Sequence, residues 1–402
     1  MSFGKFTQQL LLLFMGMAAI PSTWAQTFTV LYSFTGGTDR AYPSTGVIQG
    51  SAGNLYGTSA GVLTGTVFKL SRKGHFTLLQ GFAVPDGIYD TPLSGLVRDS
   101  AGNLYGTIYY GGAFNRGDVY EVANNGNFSV LYSFPSTWEI NGYETLDPLI
   151  LDSASNLYGA GGAVVCDDRP GDCGLIFKLD PSGNETTLHA FSRPRYGDLP
   201  NGGLIRDAAG NLYGTTMSGG HGGDGIVFEL DPDGTETVLY TFRGKPDGSE
   251  PHAGLIQDSA GNFYGTTVLG GNRGCESSCG VIFKLDINGD ETVLYAFTGK
   301  SDGGNPTGPL VMDSAGNLYG TAGYGTLSGG SQGHGVVFEL EPSGQETVLY
   351  TFTGGTDGGG PSGGLSMDSA ENLYGTTLVG GNLNDCTAGG GAGCGVVFKI
   401  TP

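Results

Sequence analysis

Short apolar runs alternate with polar turns along this chain, and the alternation repeats. In one unit the runs are Gly203–Asp207 (GLIRD), Asn211–Thr216 (NLYGTT), Ile226–Leu230 (IVFEL) and Glu236–Phe242 (ETVLYTF). They are rich in Val, Ile, Tyr, Phe and Thr and predict four β-strands per unit. The turns between them carry Gly where a positive φ is required. Beyond the first 25 residues no segment shows sustained helical spacing with caps. The tetrapeptide Asn-Leu/Phe-Tyr-Gly marks the units seven times, at Tyr56, Tyr105, Tyr158, Tyr213, Tyr264, Tyr319 and Tyr374. An interval of roughly 50 residues is typical of propeller blades.

The order of the runs predicts closure. The repeat region begins with a fourth-type strand, Phe28–Phe34 (FTVLYSF), and ends with a third-type strand, Gly395–Ile400 (GVVFKI). The first residues therefore supply the strand that the last unit lacks, which predicts an all-β, seven-bladed propeller of four-stranded antiparallel blades over 26–402. An open array would need polar capping repeats, and neither terminal unit is one. Third-strand aromatics (Phe68, Tyr120, Phe177, Phe228, Phe283, Phe338, Phe398) and the seven Tyr residues are the expected inter-blade core. The residue after the third-strand aromatic, Lys or Glu in most units, should turn away from it.

In such a meander the first-to-second and third-to-fourth turns share one face. The second-to-third and fourth-to-first loops share the other. The first set is short and near-identical; the second varies in length and holds all six cysteines, so it is the expected working face.

Residues 1–25 read as a signal peptide: Lys5, an apolar run from Leu10 to Ile20, and Thr23-Trp24-Ala25 at the cleavage site. The run is too short for a bilayer, which takes about 20 apolar residues. A secreted, monomeric protein starting near Gln26 is expected, outside the cell or in the periplasm. The formal charge of -20 argues against nucleic acid and anionic lipid as partners. Seventy-six glycines and eighteen prolines would suggest disorder in a chain without period; here they sit at fixed turn positions. Cys166 and Cys173, Cys275 and Cys279, and Cys386 and Cys394 are close neighbours in equivalent loops, which predicts three local disulfides rather than a metal site.

The pattern D-S-A-G-N-L-Y-G-T-T, then a Gly-rich loop, then G-V-V-F-x-L and E-T-V-L-Y-T-F, resembles the GloVer repeat of Gloeobacter and Verrucomicrobia. Asp258–Thr267 and Asp313–Thr321 carry the resemblance most clearly, and it extends over essentially the whole region after residue 25. It implies secretion or surface display in bacteria and no settled activity, catalytic residue or ligand. With no anchoring signal after the last strand, release rather than attachment is expected.

Three groups of residues are candidates for chemistry. Asp86, Asp247, Asp302 and Asp357, with Asp39 in the opening unit, recur in the fourth-to-first loops, where they are turn residues or a carboxylate ring able to hold Ca²⁺. The hairpin aspartates (Asp99, Asp152, Asp207, Asp258, Asp313, Asp368) are expected to be turn residues. Histidines 75, 189, 221, 252 and 334 have no metal-binding spacing and are expected as lone surface groups. The irregular segment 135–148 holds Trp138, Glu139, Tyr143 and Glu144, a combination that suits a sugar or peptide and equally suits rim packing. No nucleophile elbow, phosphate loop or dinucleotide fingerprint is present, so no catalytic residue is assigned. The leading expectation is a binding protein for a glycan, a peptide or a cell-surface protein. The alternatives are a lyase or hydrolase at the central mouth, and a passive envelope component.

Overall fold

The structure, a computed structural model, describes residues 26–61, 64–82, 91–109, 111–135, 148–166, 169–191, 197–271, 279–323, 333–361, 363–384, 386 and 392–402. They form seven antiparallel sheets, six of them with four strands and one with five. The chain folds as a seven-bladed β-propeller closed by its own ends. Thr27–Ser33 pairs antiparallel with Val396–Thr401, placing Val30 opposite Phe398 and Tyr32 opposite Val397. The fifth strand in blade 4 is a short addition, Asp198–Pro200, alongside Leu212–Ser218. The expected leader, residues 1–25, lies outside the described residues.

The third strand of each blade is the core of the fold. In Ile226–Leu230 every residue but Glu229 is buried, and Val281–Leu285 and Val336–Leu340 repeat that pattern. Its aromatic lies directly across from the glycine of the repeated tetrapeptide: Gly57 opposite Phe68, Gly214 opposite Phe228, Gly265 opposite Phe283. That glycine is there for space. A Cβ on Gly265 would stand 2.7 Å from Cζ of Phe283, and one on Gly375 would stand 2.5 Å from Cζ of Phe398. Carbon atoms in comfortable contact are about 3.5–4.0 Å apart, so no larger side chain fits under the ring.

A second aromatic series, beyond the expected one, joins blade to blade. The fourth strand ends in Phe, and that ring packs against the third-strand aromatic of the next blade. The seven contacts are Phe34–Phe68, Phe82–Tyr120, Phe134–Phe177, Phe191–Phe228, Phe242–Phe283, Phe297–Phe338 and Phe352–Phe398, with centroids 5.1–5.4 Å apart. Steeply tilted or edge-to-face pairs of this kind add roughly 0.5–1.5 kcal/mol each beyond area burial. The Phe34–Phe68 pair is made by the N-terminal strand, so the closing interface is built like the other six.

Buried threonines tie the same interfaces. Thr58, Thr215, Thr266, Thr321 and Thr376 each donate Oγ1–H to a backbone carbonyl of the following blade, on Ser94, Ala253, Pro306, Gly363 and Thr45 respectively. The last, from blade 7 back to blade 1, is the shortest at 2.7 Å. Blade 3 has Ala160 in this position and no such bond.

The second-strand Tyr residues are part core and part hairpin support. Their rings are buried or half-buried, while the hydroxyl donates to the hairpin aspartate at 2.9–3.2 Å in six blades. Each of those carboxylates also accepts the backbone N–H of the hairpin asparagine at 2.8–3.0 Å, the bonding of turn residues. The charged residue after the third-strand aromatic completes the arrangement. Lys178, Lys284 and Lys399 lie over the Tyr ring 5.8–5.9 Å from its centroid, and Glu229 and Glu339 accept from its hydroxyl.

Two elements differ from the sequence expectation. First strands are short: GLIRD gives a paired strand only at Ile205–Arg206, because Gly202 and Gly203 run along the axis against blade 5. In blade 3 the second and third strands extend much farther than in the other blades, as Leu157–Cys166 and Arg169–Leu179, and pair out to Cys166 opposite Arg169. Cys166 and Cys173 therefore lie on facing strands, opposite Arg169 and Val164.

Candidate functional site

Five blades enter the first strand through a small residue, a glycine and an aliphatic residue, as in Thr45-Gly46-Val47, Ser94-Gly95-Leu96, Ala253-Gly254-Leu255 and Gly363-Gly364-Leu365, while blades 3 and 6 have Pro148 and Pro309 at the glycine position. These segments meet around the axis at backbone contact. A Cβ on Gly46 would fall 2.2 Å from the carbonyl oxygen of Gly364, one on Gly364 2.6 Å from Cγ of Pro309, and one on Gly254 3.0 Å from the carbonyl of Gly203. Glycine here lets the blades approach closely enough for the ring to close.

Within this ring lies a cavity of about 450 Å³ to which all seven blades contribute. Its floor and walls are glycines, prolines and aliphatic side chains. In five blades the residue just before this segment lines it too, and it differs from blade to blade: Ser44, Leu93, Asn201, His252 and Thr307 in blades 1, 2, 4, 5 and 6. These residues end the fourth-to-first loops, so the cavity opens on the variable-loop face. His252 is correspondingly no lone surface group. It is largely buried, its Nδ1 is 3.2 Å from Nδ2 of Asn201, and burial pushes its pKa below the ordinary imidazole value. His189 also departs from the expectation, lying 3.4 Å from a carboxylate oxygen of Glu236. His75, His221 and His334 are exposed.

A larger cavity, about 820 Å³, sits on the opposite face between blades 5 and 6. Asp258, Tyr264, Lys284, Asp313 and Glu341 stand in its walls. Asp258, Tyr264, Lys284 and Asp313 are the repeat's own hairpin Asp, second-strand Tyr and third-strand charge, the first three engaged with one another and Asp313 with Asn317 and Tyr319 of its own blade, so this groove follows from blade geometry. The axial cavity is lined, at the ends of the fourth-to-first loops, by side chains that differ from blade to blade.

The loop aspartates Asp39, Asp247, Asp302 and Asp357 turn into their own loops. Each accepts from the hydroxyl of the preceding fourth-strand Tyr (Tyr32, Tyr240, Tyr295, Tyr350) and from a backbone N–H four residues earlier. Asp39, Asp302 and Asp357 also accept from a threonine hydroxyl, that of Thr35, Thr298 and Thr353. None of the four is brought to the axial cavity. Among the described residues, no group of three or more His, Cys, Asp or Glu converges in a way that could hold a metal ion. Asp86, Trp138, Glu139, Tyr143 and Glu144 lie outside the described residues. Cys386 and Cys394 form a disulfide with a Cα–Cα distance of 5.4 Å. Cys279 is disulfide-bonded as well, while Cys275 is outside the described residues.

Sequence reasoning passed over Ser44, Asn201 and Thr307, and placed His252 on the surface. The signal was present: once the repeat consensus is subtracted, these are the residues at one register position that change from blade to blade.

Comparison with known proteins agrees with this architecture. Among solved structures, the extracellular domain of a one-component system from B. thetaiotaomicron superposes with a TM-score of 0.54 at 11% identity. That match covers 93% of this chain and 40% of the other, so this chain spans well under half of that protein's length. A Lactobacillus plantarum protein (TM-score 0.48, 13% identity, 77% of this chain and 84% of the other) and one described as a gluconolactonase (0.42, 16%, 79% and 93%) are more distant. Identities this low show shared fold and nothing of activity. No curated protein matches the sequence. The Gloeobacter/Verrucomicrobia repeat model matches residues 21–164 and 163–385, nearly the whole of the propeller. The chain belongs to the Gloeobacter/Verrucomicrobia repeat family.

Proposed function

We propose that this protein is a secreted binding module that recognises a partner with the variable-loop face of its propeller, centred on the mouth of the axial cavity. One observation carries the reading. Where the strands and short hairpins repeat blade after blade, the residue ending the fourth-to-first loop at that mouth does not: it is Ser44, Leu93, Asn201, His252 and Thr307 in five blades, so that a histidine and an asparagine enter an otherwise largely apolar lining. Loops on a rigid scaffold are where recognition concentrates. The disulfide between Cys386 and Cys394 fits an oxidising compartment. Among the described residues no helix is long and apolar enough to cross a membrane.

Binding is favoured over catalysis by the chemistry of the cavity. A hydrolase or lyase needs an acid and a base within reach of one reacting centre. Among the described residues no Asp or Glu lines the cavity, and the group paired with His252 is the neutral amide of Asn201. The test is a peptide and glycan array probed with the protein from Gln26 onward, with and without Ca²⁺, alongside a Trp138→Ala variant. Capture of a ligand class, weakened by that variant, supports the reading. Silence of both arrays in both conditions refutes it.

A further inference from the structure

The polar side chains of the axial cavity are few, and Asn201 and His252 are paired with each other. Asn201 commits its amide protons inside the protein: Nδ2 donates to Nδ1 of His252 at 3.2 Å and to Sδ of Met217 at 3.0 Å. The first bond makes Nδ1 of His252 an acceptor, which places the ring proton on Nε2. Burial keeps the imidazole neutral at pH 7. What this pair leaves for a ligand is one acceptor, Oδ1 of Asn201, and one donor, Nε2–H of His252, side by side. Three further side-chain hydroxyls, of Ser44, Thr307 and Ser366, are spread over blades 1, 6 and 7. Elsewhere the wall is apolar, with Val47, Leu93, Leu96, Pro148, Pro309 and Leu365 prominent, and among the described residues no Asp, Glu, Lys or Arg lines it.

We propose that the axial cavity binds an uncharged amide carried on an apolar body, the amide C=O accepting from Nε2–H of His252 and its N–H donating to Oδ1 of Asn201. This rests on the binding reading above and narrows its ligand to one chemical class. Volume permits it, since about 450 Å³ lies within the range of small-molecule pockets. Charge restricts it. Among the described residues of the wall an anion would find no cation, in a protein of net charge -20, and a buried cation would find no carboxylate. The count of polar groups then decides between neutral ligands. A sugar ring carries a hydroxyl on most of its carbons, and a largely aliphatic wall would leave several of them buried without partners. A cis amide, as in a lactam or cyclic dipeptide, carries one donor and one acceptor side by side, which matches what Asn201 and His252 leave open.

The test is a titration of the intact protein with cyclo(Leu-Pro), which has one secondary cis amide on an apolar body, followed by calorimetry and by chemical-shift mapping of the axial residues. The comparators are its N-methyl derivative, which lacks the donor, and methyl β-glucoside. Saturable binding that shifts Asn201 and His252 is expected, weakened about tenfold or more by N-methylation and lost in Asn201→Leu and His252→Phe. Equal affinity for the N-methyl compound, tighter binding of the glucoside, or no binding of cyclo(Leu-Pro) overturns the proposal. The ligand-side comparison decides on wild-type protein even if a variant does not fold. If the arrays show capture while cyclo(Leu-Pro) leaves the axial residues unmoved, the amide proposal fails and the loop-face reading stands. Silence in both experiments removes both.

Discussion

Replacing Gly265 by Ala tests the packing rule that builds every blade. Its Cβ would lie 2.7 Å from Cζ and 3.0 Å from Cε1 of Phe283, and 3.0 Å from Cδ2 of Leu255. The ring cannot retreat, because Phe283 is fully buried and Phe242 of the neighbouring blade abuts it edge-on with centroids 5.1 Å apart. Gly265 has no positive φ, so backbone strain adds nothing and the whole effect is overlap. Overpacking of this kind costs about 1–3 kcal/mol, and a roughly 1 Å overlap against a pinned ring places Gly265→Ala toward the top of that range. Phe283→Leu removes the obstructing ring and leaves a partial cavity, at a cost of about 2 kcal/mol. In the double variant the new methyl group occupies part of that cavity, so the pair should be less destabilising than the sum by at least about 1 kcal/mol. Urea unfolding followed by far-ultraviolet circular dichroism on the four proteins measures this cycle. Full stability of Gly265→Ala, or strict additivity in the double variant, would refute the reasoning.

Other consequences can be measured in the same way. Asp258→Ala removes the acceptor for Asn262 N–H, Asn262 Nδ2 and Tyr264 OH and should cost about 1–3 kcal/mol, with a local rise in amide exchange at residues 258–264; an unchanged exchange pattern would contradict it. Burial alone would raise the Asp258 pKa, yet those bonds hold it below the ordinary value, so its stabilisation exists above the unfolded pKa and fades as pH falls through the folded one. Glu291 and Glu346 have the opposite sign. Burial, then the charges of Asp247 and Asp302, push each from 4.5 up to about 7, so their contribution is complete below pH 4.5 and lost as pH rises through 7. Stability should therefore decline between about pH 5 and 8, and the double variant Glu291→Gln/Glu346→Gln should flatten that slope; an equal slope would discount these groups. Thr376→Val breaks the 2.7 Å bond to the Thr45 carbonyl at the closing interface and should cost about 1 kcal/mol, more than Thr321→Val, whose bond is 3.4 Å; the reverse ranking would count against the closure geometry.

Architecture was legible because its causes are local and repeated. The Phe28–Phe34 run announced itself as a fourth-type strand by matching Glu236–Phe242, and the structure pairs it with Val396–Thr401. The role of the fourth-strand Phe was harder to read, since Phe34 and Phe242 act across an interface that no single unit contains. The candidate site was the least legible part. Asn201 and His252 are 51 residues apart, and what brings them together is the closing of a ring of blades rather than any spacing in the chain. Charge in the loops drew attention to Asp247, Asp302 and Asp357, whose carboxylates are taken up by Tyr240, Tyr295 and Tyr350. Acidic turn residues and acidic ligand residues share the same local pattern, and only the direction in which the side chain turns separates them.

The axial cavity exists only if blade 7 reaches blade 1, because Ser44–Ile48 and Gly363–Ser366 form opposite sides of the same seam. Native-state hydrogen exchange of the strand Thr27–Ser33 is the most direct measurement of that closure. Paired with Val396–Thr401, its ladder amides should open only with global unfolding, matching the protection of Val281–Leu285 in the middle of the ring. Exchange of this strand at the rate of a free terminus, while Val281–Leu285 remains protected, would show an open ring without the cavity.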